Sequence, residues 1–325
     1  MKLPRRKFLH LAAGAAAMPA VSRSAWAQAW PARNVRIVVP FGAGPGIDAI
    51  ARIAANRLSE LWGVQVVVEN RAGSGGNIGS ETVARSQPDG YTLLFNGPAL
   101  ALNRYLFARL PYDPVTDFAP VTLVCTLPNF MIIPNTSPVK SVTEFIEFAK
   151  ANRGAVTFAS PGTGTTQHLS GELLKRMAHI DLTHVPYRGP APVLTDLIPG
   201  RVNAAFLSSG ASVEIIKSGQ ARGLAVTSGK RFPLAPDLPS ISESVPGYDV
   251  STWFALFAPS KTPHEIVNKV SSDTAVALAD PTVRRKLEQL SIVVESSTPE
   301  DLSELLKNEM EKWGRIINEA GIRVE

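Results

Sequence analysis

The sequence predicts an α/β protein of two lobes, each with a mixed, mostly parallel sheet flanked by helices, and a hinged cleft between the lobes. Short β-branched runs alternate with stretches in which apolar residues recur at helical spacing. The order strand, glycine-rich loop, helix occurs near Phe41 and again near Ala159. The 325 residues are also too many for one small core.

The stretch 35–61 is the first of these units. Val35–Val39 is a short β-branched run ended by Pro40, which is typical of a strand buried in a parallel sheet. A glycine-rich turn at 42–46 follows, and after Asp48 the apolar residues recur at helical spacing. A glycine turn leading into a helix start directs backbone N–H groups at one point, which predicts an anion site. The stretch is not a dinucleotide-binding fingerprint, because Ile47 stands where that pattern needs a glycine. The alternative to an anion site is a tight connection that binds no ligand.

Further strands follow in the first part of the chain. A strand at 64–68 leads into a glycine-rich loop at 70–79, and a strand at 91–95 ends at an Asn-Gly-Pro sequence. Two apolar runs at 121–124 and 130–133 predict separate strands, because a leucine, a proline and an asparagine lie between them. The loops after parallel strands gather at one edge of a sheet, where ligands bind.

A second round of units occupies the middle of the chain. Its predicted strands are 156–158, 183–185, 204–206 and 224–226, and its predicted helices begin at about residues 142, 167, 191 and 212. After residue 250 the sequence predicts strands at 254–257 and 292–294 and helices at 263–278, after 281 and at 298–320. The part of the chain after residue 250 has too few predicted strands to form a sheet of its own.

The predicted domain organisation follows from this shortage of strands. Residues 251–325 are expected to complete the lobe begun by residues 28–128, and residues 129–250 form the second lobe. The chain therefore crosses twice between the lobes, and these crossings predict the hinge.

Residues 1–27 are predicted to be an export signal cleaved after Ala27. Arg5-Arg6 followed by Phe-Leu is typical of a twin-arginine signal, whereas Pro4 and His10 leave Sec export as the alternative. The apolar stretch that follows is shorter than the ~20 residues that a membrane-spanning helix needs, so cleavage is favoured over anchoring. The mature chain is expected to be periplasmic.

The charge and cysteine content exclude several classes of function. Residues 1–27 contain five bases (Lys2, Arg5, Arg6, Lys7 and Arg23) and no acid, so the formal charge of +5 falls to zero without them. A neutral mature chain gives no basis for a nucleic-acid partner. Cys125 is the only cysteine, so an intrachain disulfide is excluded, and its apolar neighbours favour a buried thiol.

Uncharged hydrogen-bond donors dominate the predicted ligand-binding loops, and no catalytic or metal-binding motif is present. His168 and His184 lack a metal-ligand spacing and are interpreted as structural residues. The loops after the strands contain hydroxyl groups, which donate hydrogen bonds, and lead into helix starts, which favour negative charge. Together these groups could hold a carboxylate without an arginine. The alternative is that these hydroxyls merely cap helices. Arg71 and Arg188 are candidate cations at the cleft rim.

An ordered set of short motifs resembles one known family. The motifs are Val39-Pro40-Phe41, Asp48-x-x-Ala51-Arg52, the stretch Asn70 to Gly79, Pro88-Asp89-Gly90-Tyr91, Asp117-Phe118-Ala119-Pro120, His184-Val185-Pro186-Tyr187, Leu224-Ala225-Val226 and Trp253-Phe254. Together they resemble the Bug-type (TctC-like) periplasmic receptors of tripartite tricarboxylate transporters. The resemblance implies a type II periplasmic-binding-protein fold that closes on a small organic carboxylate. It also implies a non-enzymatic protein that delivers its ligand to integral membrane subunits.

The resemblance and the loop analysis together give the predicted ligand-binding residues. They are Phe41, Gly42, Ala43, Gly44, Gly46, Asp48, Gly73, Ser74, Gly75, Asn77, Asn96, Ser160, Gly162, Thr163, Thr166, Tyr187 and Ser208. Asp48 is expected to cap its helix, to order the glycine loop, or to meet a donor group or a bridging water on the ligand. No cofactor and no metal are expected, and the protein is expected to act as a monomer.

Three positions depart from the family pattern and affect the predicted ligand. Pro45 removes a backbone donor, Ile47 replaces a hydroxyl with an apolar side chain, and Leu207 stands where the family usually has an acid. These changes predict a ligand with one carboxylate and an apolar or aromatic body rather than a citrate-like one. Two alternatives stay open: a receptor that signals to a periplasmic sensor, and an exported hydrolase or lyase that uses His168 or His184.

Overall fold

A continuous ten-stranded sheet forms the centre of the computed structural model, which describes residues 30–44 and 46–324. The described residues from Arg33 onward form one compact unit. The predicted export signal and Pro45 lie outside the described residues. In the part of the chain that is described, none of the helices is long and apolar enough to span a membrane.

The strands alternate with helices along most of the chain. The strands are β1 (Val35–Val39), β2 (Val66–Asn70), β3 (Thr92–Asn96), β4 (Phe118–Pro134), β5 (Thr157–Ser160), β6 (Thr183–Pro186), β7 (Ala204–Ser208), β8 (Ala221–Val226), β9 (Ser251–Pro259) and β10 (Val293–Val294). The helices are α1 (Ile47–Trp62), α2 (Asn77–Ala84), α3 (Pro98–Leu106), α4 (Val142–Ala151), α5 (Thr166–Met177), α6 (Pro190–Leu197), α7 (Ser209–Lys217), α8 (His264–Ala279), α9 (Pro281–Gln289) and α10 (Pro299–Glu319). Short 3₁₀ turns lie at Ser74–Gly76 and Ile241–Glu243.

The strand order is β2-β1-β3-β9-β4-β7-β5-β6, with β8 and β10 also paired to β4. The pairs β1–β2, β1–β3, β5–β6 and β5–β7 are parallel, whereas every pair that involves β4 or β9 is antiparallel. The mixed α/β architecture with flanking helices that was predicted from the sequence is therefore confirmed. The expected excess of parallel pairing is not found, because four of the described strand pairs are parallel and five are antiparallel.

Strand β4 belongs to both halves of the sheet. Its first part, to Pro128, pairs with β9 and β10, and from Asn129 onward it pairs with β7 and β8. The prediction of two separate strands here is wrong. Pro128 lies where β4 leaves one set of partners for the other, a position at which the missing N–H group costs few ladder bonds. The predicted lobe boundaries at 128/129 and 250/251 stay a prediction.

Helix α3 was not predicted from the sequence. It begins with Pro98 at its first position, directly after Gly97, and buries Leu102 and Leu106. Although α3 follows β3, these two leucines belong to the same buried cluster as Phe158 of β5 and Trp313 of α10. Helix α3 therefore packs against the core of the other half of the sheet.

A glycine in α5 lets this core close around an aromatic ring. A Cβ atom at Gly171 would lie 2.1 Å from Cε2 of Phe158. The Phe158 ring is fully buried and is held by His184, whose ring centroid lies 4.9 Å away, and by Phe206 at 6.0 Å. The ring therefore has no room to retreat from a larger side chain.

We expect Gly171→Ala to lower the free energy of unfolding by about 1–3 kcal/mol, because the added methyl group overpacks the core. Gly210→Ala in α7 is the matched control: its Cβ would meet its nearest atom, the Leu290 carbonyl oxygen, at 3.7 Å. That change should be neutral or stabilise by about 0.4–1 kcal/mol. Urea unfolding followed by circular dichroism measures both effects, and equal values for the two variants would contradict the packing argument.

Candidate functional site

Loops from both halves of the sheet meet at one cavity of about 240 Å³. Phe41 follows β1, Gly75 follows β2, Asn96 ends β3, and Thr163 and Thr166 follow β5. The other lining residues are Gly97, Pro98, Ala99, Leu102, Asn103, Leu106, Phe107, Gly164, Thr165, Phe254 and Val324. The cavity thus lies at the carboxyl edge of the parallel strands, where open α/β sheets bind ligands.

The described residues that line this cavity carry no charged side chain. Its polar groups are amides, hydroxyls and the starts of two helices, α3 after Gly97 and α5 after Thr165. The Gly97 cap supplies no side-chain acceptor to α3. Each helix start contributes about 0.3–1 kcal/mol to a bound anion, and up to ~2 kcal/mol when partly buried. Together they can hold one carboxylate without an arginine.

Two neutral histidines hold the loop after β5. The Ser160 hydroxyl shares a 2.7 Å hydrogen bond with His184 Nε2, and the Gly164 N–H donates to His168 Nδ1 at 3.1 Å. The two imidazoles stack with their centroids 3.7 Å apart. Burial lowers the pKa of His168 to about 3 and that of His184 to about 4. Both rings are therefore neutral at pH 7, as the acceptor role of Nδ1 requires.

A buried carboxylate organises the loop after β1. Asp48 accepts hydrogen bonds from the Gly44 N–H at 3.2 Å, from Arg52 Nε and from Asn70 Nδ2 at 2.9 Å. Asn70 also donates to the Phe41 carbonyl oxygen at 3.0 Å. Burial raises the pKa of Asp48, but these donors and the Arg52 charge outweigh burial and hold that pKa below its ordinary value. Among the roles expected for Asp48, these contacts support ordering of the glycine loop.

The loop after β2 is fixed by a network of neutral side chains. Asn103 of α3 donates to Asn77 Oδ1 at 2.7 Å and to the Gly75 carbonyl oxygen at 2.9 Å. The Tyr112 hydroxyl donates to the same Asn77 oxygen at 2.9 Å. Asn77 is 3% exposed and does not line the cavity. Its contacts place Asn103, which does line the cavity.

Of the residues predicted from the sequence, Phe41, Gly75, Asn96, Thr163 and Thr166 line the cavity. The other predicted residues do not line it: Gly42, Ala43, Gly44, Gly46, Asp48, Gly73, Ser74, Asn77, Ser160, Gly162, Tyr187 and Ser208.

Tyr187 of this second set is engaged elsewhere, because its hydroxyl donates to Asp196 at 2.7 Å. Ser208 occupies the N-cap position of α7, but its side chain makes no capping hydrogen bond there. The candidate rim cations, Arg71 and Arg188, do not line the cavity either. Arg71 pairs with Glu69, and Arg188 is exposed.

Sequence reasoning missed the side of the cavity that α3 forms. Ala99, Leu102, Asn103 and Leu106 recur at helical spacing on one face, and this spacing was the available signal. Phe254 of β9 carries no comparable signal, because only the pairing of β9 with β3 brings it to the site.

Comparisons with known proteins agree with this architecture. A family model described as a tripartite tricarboxylate transporter family receptor matches residues 50–322. The UPF0065 protein in the tcbD-tcbE intergenic region of Pseudomonas sp. strain P51 is 42% identical over 293 residues, which cover 90% of this chain and 87% of that protein.

Two solved structures of Rhodopseudomonas palustris proteins are also similar. Rpa4515, solved with adipate, has a TM-score of 0.78 and 37% identity, covering 91% of this chain and all of that one. MatC (Rpa3494), solved with bound malate, has a TM-score of 0.72 and 31% identity, covering 89% of this chain and all of that one. The family resemblance given by the sequence motifs is confirmed.

The buried histidines predict how stability depends on pH. A histidine in the unfolded chain has a pKa near 6.5, whereas the pKa of His168 in the folded protein is about 3. Between pH 3 and pH 6.5 the unfolded chain therefore binds more protons than the folded protein does. Stability is then highest above about pH 6.5 and falls as the pH is lowered. The slope due to one such histidine is at most about 1.4 kcal/mol per pH unit.

We expect His168→Asn to flatten this decline between pH 6.5 and pH 4.5, because Asn keeps an acceptor near the Gly164 N–H but does not titrate. Urea unfolding at several pH values measures the slope. His264→Asn, which removes an exposed histidine at the start of α8, is the control. An unchanged slope in His168→Asn would show that His168 does not contribute to the pH dependence.

Proposed function

The chain belongs to the tripartite tricarboxylate transporter receptor family, and we propose that it is a periplasmic solute-binding protein that captures a small organic carboxylate. The ligand binds in the cavity between α3 and the loop after β5. The protein performs no chemistry on the ligand and delivers it to the integral membrane subunits of a tripartite tricarboxylate-type transporter. The export signal predicted at residues 1–27 supports the periplasmic location.

One observation carries the proposal. The starts of α3 and α5 both line the cavity, and none of the described lining residues has a cationic side chain. Backbone N–H groups, hydroxyls such as those of Thr163 and Thr166, and helix dipoles can neutralise one carboxylate between them. A second or third carboxylate would be removed from water without a compensating charge, which is costly. The site therefore favours ligands of low charge.

The remaining surface of the cavity favours an apolar ligand body. Phe41, Leu102, Leu106, Phe107 and Phe254 supply aromatic and aliphatic surface along its length. Burial of a ligand's apolar surface contributes about 25 cal/mol per Å². We therefore propose a monocarboxylate with an aliphatic or aromatic body. Adipate, found with the related Rpa4515, likewise has an apolar chain, although it carries two carboxylates.

The test combines native mass spectrometry of the periplasmic protein with thermal shift and calorimetry against benzoate, hexanoate, adipate, malate and citrate. A ligand at a hundred times its Kd stabilises the folded state by about 2.7 kcal/mol, so a binding acid raises Tm. Benzoate or hexanoate should raise Tm more than citrate does. Tighter binding of citrate would rule out the proposed ligand class, and consumption of a bound acid over hours would rule out a receptor without turnover.

A side-chain variant tests the cavity itself. Thr163→Val should weaken binding of the preferred acid by about two- to tenfold, because the net value of one hydrogen bond is about 0.5–1.5 kcal/mol. Thr195→Val is the matched control, since Thr195 lies on α6, is exposed and donates only to a carbonyl oxygen of its own helix. Equal affinities for the two variants would place the ligand away from Thr163.

A further inference from the structure

We propose that Val324, in the segment that follows α10, forms the end wall of the ligand cavity and limits the length of the ligand's apolar body. This inference rests on the proposed function, because it assigns a specificity-determining residue to the same cavity. Val324 lines the cavity, whereas its neighbours in the segment do not.

Helix α3 gives the cavity its direction. Lining residues run from Gly97 and Pro98 at the start of α3 to Leu106 and Phe107 at its end. At 1.5 Å per residue, Pro98 and Leu106 are about 12 Å apart along the helix axis. The exposed N–H groups of a helix lie at its start, so the carboxylate is expected there. The apolar body then extends along α3 toward Leu106.

The segment lies at the far end of this path. The Val324 N–H donates to the Leu106 carbonyl oxygen at 3.0 Å, which places Val324 beside the last turn of α3. The loop after β5 reaches the same point: a Cβ atom on Gly164 would lie 3.2 Å from Val324 Cγ2 and 2.9 Å from Leu106 Cδ1. Three elements therefore close the cavity at the end opposite the carboxylate.

The wall is anchored in the core rather than lying loosely on the surface. Gly321 has a φ of +63°, which turns the chain at the end of α10. The Ile322 N–H then donates to the Ile317 carbonyl oxygen at 3.0 Å, and the Ile322 side chain, 7% exposed, belongs to the cluster that contains Leu102 and Leu106. A ligand too long for the cavity would have to displace these contacts.

A second cavity of about 700 Å³ lies on the other side of the wall. Ile322 and Arg323 line it, together with charged residues that include Glu172 and Lys175. Thr163 lines both cavities, so the two are neighbours. The segment thus separates an uncharged cavity from a charged one. A smaller residue at Val324 would lengthen the apolar space, and a larger one would shorten it.

The experiment measures the affinities of butanoate, hexanoate, octanoate and decanoate by calorimetry for the wild type, Val324→Ala, Val324→Phe and Arg323→Ala. In the wild type, each added methylene should tighten binding about fourfold until the chain reaches the wall. Val324→Ala should move this limit to a longer acid. Val324→Phe should move it to a shorter one and weaken binding of the longest accepted acid by about tenfold or more. Arg323→Ala, which changes the neighbouring side chain facing the other cavity, should keep the wild-type limit.

The outcomes separate this inference from the proposed function. If the wild type binds the acids but both Val324 variants keep its length limit, the wall is refuted and the receptor function stands. If the wild type binds none of these acids or benzoate, the proposed ligand class fails and the wall assignment fails with it. Tm values in the absence of acid identify a variant that has lost its fold. Because the alanine and phenylalanine changes shift the limit in opposite directions, either variant alone tests the wall.

Discussion

The pairing of β4 with two sets of partners is the constraint on which the rest of the structure depends. One seventeen-residue strand is bonded to β9 and β10 at its beginning and to β7 and β8 at its end. In one half of the sheet β1 pairs in parallel with β2 and β3, and in the other half β5 pairs in parallel with β6 and β7. The loops that follow β1 and β5 meet at the cavity. A strand common to both halves therefore helps to fix the position of the loop after β1 relative to the loop after β5.

The cavity is uncharged because the charges and titratable groups that build it lie behind its surface. Asp48, Arg52 and Asn70 fix the loop after β1 from behind, and the stacked His168 and His184 fix the loop after β5. These groups use their hydrogen-bonding capacity on loop backbone and on one another, so no charged side chain among the described residues lines the cavity. A preorganised neutral surface of this kind binds an anion without forming a strong ion pair. A receptor that must later release its ligand benefits from that property.

Helix α3 connects the two features. Its start lines the cavity, its later turns supply apolar surface, and its leucines Leu102 and Leu106 pack into the core of the other half of the sheet. The sequence between β3 and β4 is thus both part of the binding surface and part of the packing that brings the halves together. The contact between Leu106 and Gly164 extends this packing to the edge of the cavity.

The sequence by itself determined the class of the fold and the family. β-Branched runs, glycine loops and capped helices are local patterns, and they predicted the strands, the loop-rich edge and five cavity residues without reference to contacts. It also indicated a site without arginine, since the loops contain hydroxyls and glycines. Local patterns do not encode pairing between distant segments. Only the tertiary structure decided that β4 is one strand, that Asn70 of β2 donates to Asp48, and that Phe254 and Val324 reach the cavity, because each depends on contacts between residues far apart in the chain.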